Sequence, residues 1–194
     1  MAGLGDAARL NETVFKREPL DHFTTFFGFY ILQSRAAAGD CAGALELARH
    51  FYGGMLDLGA TTFWEEFNMK WLENASRIDE LPQPGKFDVH LNSGPQRCYT
   101  GLRHSLCHGW GGGVAAFLSE TLLGVQALEP GLKTVRITPQ LGDLEYLDGT
   151  YPVPGGDAIR VRIARCASGE IERQITVPDT VALLPDHEYA KAGS

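Results

Sequence analysis

Residues 59–68, Gly-Ala-Thr-Thr-Phe-Trp-Glu-Glu-Phe-Asn, place two adjacent carboxylates and an indole in one short stretch. Such a pairing suits sugar chemistry. The ring of Trp64 can pack on a pyranose face while Glu65 or Glu66 handles a proton or a water. The plain alternative is that Trp64 is core and the two glutamates open a helix, where negative charge suits the helix dipole. A second cluster is Ser105-Leu-Cys-His-Gly-Trp-Gly-Gly-Gly113, with His108 and Trp110 just ahead of an expected helix. There the imidazole can bond a hydroxyl as donor or acceptor and the indole offers a stacking face. The three glycines have two readings: close approach of a ligand to the backbone, or tight packing of the helix entry.

Other chemistry fits the spacing less well. A zinc site would have to draw on His90, Cys98, His104, Cys107 and His108. Only His104 and His108 are four apart, and the cysteines are not paired to match. Cys107 and His108 are sequence neighbours whose side chains should diverge, so they do not suit a nucleophile and its base. The triple glycine lacks the Lys-Ser/Thr of a phosphate loop. No cofactor is implied.

These residues need elements to carry them. Up to about residue 130 the period is helical. Phe26 to Leu32 is apolar over so wide an arc that burial on most sides is expected, and Gly39 ends the segment. Asp40 reads as the N-cap of a helix from Cys41 to Leu56. Its apolar face is Ala44, Leu45, Leu47, Ala48, Phe51, Tyr52, Met55 and Leu56, so the two helices form an antiparallel hairpin. Residues 72–101, rich in Pro and Gly, read as a long functional loop, and Val114 to Leu123 as a third helix. Beyond Pro130 the period becomes two, with strands expected at 133–138, 144–151, 158–164 and 171–177. The expected fold is therefore α+β in two parts, a helical segment over 1–130 and a small antiparallel β domain over 131–194.

Composition bounds the rest. The 194 residues are 44% hydrophobic with a formal charge of −7, and the Lys and Arg are scattered. That leaves no basic footprint for nucleic acid or anionic membrane. No apolar run is long enough to span a bilayer, and the N-terminus does not read as a signal peptide. Four unpaired cysteines, Cys41, Cys98, Cys107 and Cys166, fit free thiols, so a cytoplasmic protein is expected.

Several of these segments, in order, resemble the C-terminal part of bacterial α-L-rhamnosidases, inverting glycoside hydrolases built on a six-fold α/α barrel. The matching residues are Tyr52-Gly-Gly-Met-Leu-Asp-Leu-Gly-Ala-Thr-Thr-Phe-Trp-Glu65, Ser105-Leu-Cys-His-Gly-Trp110, Leu123-Gly-Val, Glu129-Pro-Gly-Leu-Lys133 and Val135-Arg-Ile-Thr-Pro-Gln-Leu-Gly-Asp-Leu144. The resemblance implies that the helical part belongs to such a barrel and that the strands form the β-sandwich that follows it. It implies that Glu65 is the general base, activating the water that attacks the anomeric carbon, and that it stays ionised. His108 would contact the rhamnose, and Trp64 and Trp110 would line the pocket. Glu66 should point elsewhere. The ligand would be a rhamnosylated carbohydrate or glycoside, and terminal L-rhamnose would be released with inversion.

The chain also departs from that pattern. The family's general acid lies upstream, on a barrel segment that nothing here matches. At least half the barrel helices have no counterpart, and the 68–103 connection is longer than usual. Glu12, Glu18 and Asp21 are the candidate proton donors within this chain. Taken as a whole polypeptide, it should be inactive or need a partner, either the remaining barrel segments or further copies of itself. A non-catalytic carbohydrate-binding or structural module is the alternative.

Overall fold

The computed structural model describes residues 5–17, 23–90 and 104–184. It divides into two compact units, Met1–Ala115 and Ala116–Ser194, so the division falls within the helix that follows the glycines. The first unit is helical and the second is made of strands. The architecture is α+β, as the change of period predicts.

In the first unit, α1 (Ala7–Leu10) runs into a π-helical turn at Asn11–Phe15, and α2 (Gly28–Ala37) and α3 (Cys41–Asp57) form the hairpin. Gly39, at φ 83°, reverses the chain between them. Its N–H reaches Ala36 O and the Asp40 N–H reaches Arg35 O, which satisfies the last carbonyls of α2 in a Schellman arrangement. Asp40 then caps α3 by accepting from Gly43 N at 3.2 Å. Cys41, Ala44, Leu45, Leu47, Ala48, Phe51, Gly54 and Met55 are buried, whereas Leu56, expected on the same face, is exposed.

The expectation that α2 is buried on most sides does not hold. Leu32 and Ala36 are buried, but Tyr30 on the helix and Phe26 and Phe27 just ahead of it have about half their surface open. The hairpin partner covers one side of α2, and the aromatic rings occupy the other, packing edge-on against each other. The helical pattern fixed which residues share an arc, not which arcs are covered.

Asp40 also holds the hairpin together electrostatically. The Arg35 guanidinium donates to it at 2.7 and 2.9 Å, and Asn11 Nδ2 donates at 3.0 Å. Burial pushes the carboxyl up, but the hydrogen bonds from Asn11 and Arg35 and the Arg35 charge outweigh it, so the group sits below its ordinary value of 3.8. A depressed carboxyl stabilises the fold above its unfolded value and loses that contribution as pH falls through the lower folded value. Asp40→Asn keeps a good cap but removes the charge. It should cost about 1.5–3 kcal/mol at neutral pH, the range for hydrogen bonds to charged groups. Urea titrations at pH 7 and in steps below 4 check this, and the variant should show a shallower acid slope than the native chain.

After α3, Gly59 (φ 88°) repeats the Schellman ending, with its N–H on Leu56 O and the Ala60 N–H on Met55 O. The 72–101 loop is only partly irregular. It opens with the single turn α4 (Trp71–Asn74) and is tied by a bridge between Ala75 and Phe87. Residues 91–101 of it, like Glu18, Asp21 and Cys98, lie outside the described residues. The third helix is a 3-10 turn at Gly109–Gly112, then α5 (Gly113–Ala116), then a π-helical stretch at Phe117–Leu122.

In the second unit, β3 (Tyr146–Pro152), β4 (Ala158–Arg165) and β5 (Ile171–Thr176) form an antiparallel sheet close to the expected ranges. A second sheet is ordered β1 (Val125–Ala127), β2 (Thr134–Ile137) and β6 (Ala182–Leu183). The short β1 and β6 were not expected, and β6 pairs with β2 in parallel, so the domain is not wholly antiparallel. Both sheets contribute to one core. Val125, Val135 and Ile137 from one meet Ile159 and Val161 from the other, with Leu123, Val153 and Val181 closing it. This is a small sandwich.

Candidate functional site

Two segments meet in the first unit, and each hydrogen bond between them has a backbone group on at least one side. Glu65 N donates to Ser105 O at 2.8 Å and His108 N to Phe63 O at 2.7 Å. The Thr62 hydroxyl donates to Leu106 O. The Glu65 carbonyl accepts both the Trp110 indole N–H, at 2.8 Å, and the Thr25 hydroxyl. The turn after α3 is thus clasped to the helix entry and to the segment before α2.

The clasp sets the side chains. Glu65 is buried at 7% exposure, and its Oε2 accepts the Ser105 N–H at 3.1 Å. The His108 Nδ1 lies 3.9 Å from the same oxygen, with its side chain one-third exposed. The His108 ring leans on Trp110, with ring centres 4.4 Å apart, and Trp110 meets Phe26 at 5.5 Å. A cavity of about 250 Å³ is lined by Thr24, Thr25, Phe26, Phe27, Glu65, Glu66, Phe67 and Trp110. This lies below the roughly 300 Å³ at which ordinary ligand pockets begin, so it has room for no more than one small ring. Glu66, expected to point elsewhere, contributes to the same wall.

The structure brings Glu65, His108 and Trp110 together. Trp64 is separated from them. It has no exposed surface, and its ring packs edge-on against Phe67 and His104. Of the two indoles expected along a pocket, only Trp110 presents an accessible face. Trp64 follows the core reading of the sequence and supports the turn from beneath. Among the candidate proton donors, Glu12 is exposed and paired with Lys16.

The glycines have a packing role at two positions. A Cβ on Gly111 would stand 2.7 Å from Trp64 O and 3.1 Å from Phe63 Cβ, and one on Gly113 would stand 2.5 Å from Phe29 Cβ. The absent side chain of Gly111 lets the helix entry lie directly on the Phe63–Trp64 turn, and that of Gly113 lets it lie on α2. Gly109 faces nothing within 4 Å and carries no such constraint.

Sequence reasoning did not assign Thr25 or His104 to this arrangement. His104 is buried, with Nδ1 3.0 Å from Val89 O and Nε2 3.0 Å from Glu66 O, and it bridges two stretches of backbone. His90 faces Ile78 O at 3.1 Å. These rings address carbonyls, and among the described residues no three His, Cys, Asp or Glu side chains are grouped to hold a metal. Cys41, Cys107 and Cys166 form no disulfide among the described residues. No helix among the described residues is long and apolar enough to cross a membrane.

Comparison with known proteins gives one consistent answer. No family model matches the sequence, and no curated protein matches it. Solved structures do. A GH78 family rhamnosidase of Bacillus sp. GL1 aligns over 82% of this chain at 27% identity and a TM-score of 0.60, using 14% of its own length. The α-L-rhamnosidase of Aspergillus terreus aligns over 91% at 17% identity with a TM-score of 0.66, using 18% of its length. That of Streptomyces avermitilis, solved with L-rhamnose, aligns over 91% at 19% identity with a TM-score of 0.65, using 15%. The chain resembles a portion of the α-L-rhamnosidases, and it spans less than a fifth of the proteins it matches.

Proposed function

We propose that this chain carries the water-activating side of a glycoside hydrolase site for terminal L-rhamnose, with the proton donor supplied from outside it. The observation that carries this reading is the approach of the Glu65 carboxylate and the His108 ring to 3.9 Å beside the exposed Trp110. Glu65 is the base. Its Oε2 is oriented by the Ser105 N–H, and it withdraws a proton from the water attacking the anomeric carbon. His108 bonds a sugar hydroxyl, and Trp110 offers its face to the apolar side of the ring. Inversion follows if the acid's carboxyl stands roughly 6.5–9.5 Å away and leaves space for that water. The partner supplying the acid is either the remaining barrel segments or a second copy.

A non-catalytic module is the second reading, and the 7% exposure of Glu65 favours it, since a water must reach that carboxylate. Calorimetric titration with L-rhamnose tests the site common to both. Binding is expected to be saturable and to weaken roughly tenfold in His108→Ala, the loss of one good hydrogen bond. Absence of binding at millimolar sugar would reject both the hydrolase and the sugar-binding module.

A further inference from the structure

His104 is buried, takes no part in the reaction set out for Glu65, and has both ring nitrogens against backbone. Two indoles stand nearly perpendicular to its ring, Trp64 at 6.3 Å and Trp71 at 5.8 Å between ring centres. Nδ1 is 3.0 Å from Val89 O, and Nε2 is 3.0 Å from Glu66 O. Nε2 also lies 3.3 Å from Glu66 N. One nitrogen thus faces both the N–H and the carbonyl of the same residue.

These contacts define two arrangements. A neutral imidazole has one N–H and one lone pair. Nδ1 meets a carbonyl, so in the neutral ring the proton belongs on Nδ1, and the Nε2 lone pair takes the Glu66 N–H. The other neutral tautomer would set the Nδ1 lone pair against Val89 O. When a proton from solvent adds to Nε2, both nitrogens donate, one to Val89 O and the other to Glu66 O. The charged ring turns the close approach to Glu66 O into a hydrogen bond and gives up the Glu66 N–H. Each arrangement gains what the other loses.

The Glu66 N–H belongs to the peptide group that joins Glu65 to Glu66. The oxygen of that peptide accepts the Trp110 indole N–H at 2.8 Å and the Thr25 hydroxyl. A chain of hydrogen bonds therefore runs from Trp110 through this peptide to His104 and on to Val89. A peptide whose N–H is engaged has a more strongly accepting carbonyl, so the links support one another. The neutral ring completes the chain, and the charged ring cuts it between His104 and the peptide.

We propose that His104 is a positioning residue for Trp110, holding the indole through the Glu65–Glu66 peptide when neutral and loosening it when protonated. Its bearing on sugar binding rests on Trp110 as the stacking face, and the coupling itself does not. The titratable groups on the segments around His104 are Glu65 and Glu66 on the turn, Asp88 and His90 beside Val89, Lys70 and Glu73 beside Trp71, and His108. Lys70 and Glu73 are exposed, and the His90 ring faces Ile78 O. His108 leans on Trp110 and must be silenced for the coupling to be read.

Nuclear magnetic resonance of the full chain carrying His108→Gln, from about pH 5 to 8 where histidines titrate, tests this. With the ring neutral, its nitrogen shifts should show Nδ1 protonated and Nε2 bare. On acidification the Glu66 amide proton and the Trp110 indole proton should move with the His104 ring at one midpoint. The indole proton should also exchange with solvent severalfold faster in the charged state. Adding His104→Gln should abolish both movements. The tautomer and the shared midpoint need no change at His104, so they decide the matter should that variant not fold. All of this is read without sugar, so it stands or falls separately from the L-rhamnose titration. The proposal is overturned by a neutral ring protonated on Nε2, by a ring that holds one state throughout, or by a Trp110 proton that ignores the His104 midpoint. Movements that persist in His104→Gln would assign the titration to Glu65 or Glu66 and overturn it as well.

Discussion

Glu65→Gln is expected to lower the release of dinitrophenolate from a dinitrophenyl L-rhamnoside by about 10²–10⁴-fold, the usual contribution of a general base. This substrate suits a chain with one half of an acid–base pair, because its leaving group departs without a proton. The amide keeps the shape of the carboxylate and can still accept the Ser105 N–H, so the fold should be retained. What disappears is the ability to take a proton from water. Glu65→Ala with added azide gives a sharper readout. Azide needs no deprotonation, so it can attack the anomeric carbon as the phenolate leaves, and it should restore phenolate release. The product should be a rhamnosyl azide of inverted configuration. A purely structural glutamate would show neither rescue nor that product. Equal rates in the native chain and Glu65→Gln would remove Glu65 from the reaction.

Trp64→Ala should be the most damaging change to stability, at about 3–5 kcal/mol. The side chain has no exposed surface and lies among the aromatic rings of the first unit's core. A loss of that size is a large share of the roughly 5–15 kcal/mol that holds a typical protein folded. Trp64→Phe should cost much less. The indole N–H has no acceptor among the described residues, so phenylalanine gives up volume without giving up a hydrogen bond. Urea denaturation followed by far-ultraviolet circular dichroism separates the two variants. A mild Trp64→Ala would mean that the turn's support comes from elsewhere.

How legible these features are in the sequence depends on the range of the forces that make them. Asp40 and the α3 face are local, set by a cap and a 3.6-residue period, and both emerge from the sequence. The long strands β3, β4 and β5 carry enough alternation to be read. β1 and β6 have three and two residues, too few to show a period, and they form only because β2 offers them an edge. The outward aromatics of α2 mislead for a related reason. Hydrophobicity marks Phe26, Phe27 and Tyr30 as fit for burial, but coverage depends on what lies opposite.

The site divides in the same way. Glu65, His108 and Trp110 can be picked out by residue type and by the family resemblance. Thr25 and His104 cannot, because their part is to bond backbone atoms about 40 residues away, Thr25 to Glu65 O and His104 to Glu66 O. No local pattern carries that information. The two readings of the glycines separate only once Trp64 O and Phe29 Cβ are seen to fill the space a side chain would need.

Every hydrogen bond of the clasp between residues 62–65 and 105–110 has a peptide group on at least one side, and the side chains that take part are those of Thr62, Glu65 and Trp110. Peptide groups are the same whatever residue they join. The side chains at Leu106 and Cys107 make none of these bonds, so they can change while the backbone frame around Glu65 is inherited. For directed evolution this makes the segment a place where side chains can be varied at little risk to the scaffold.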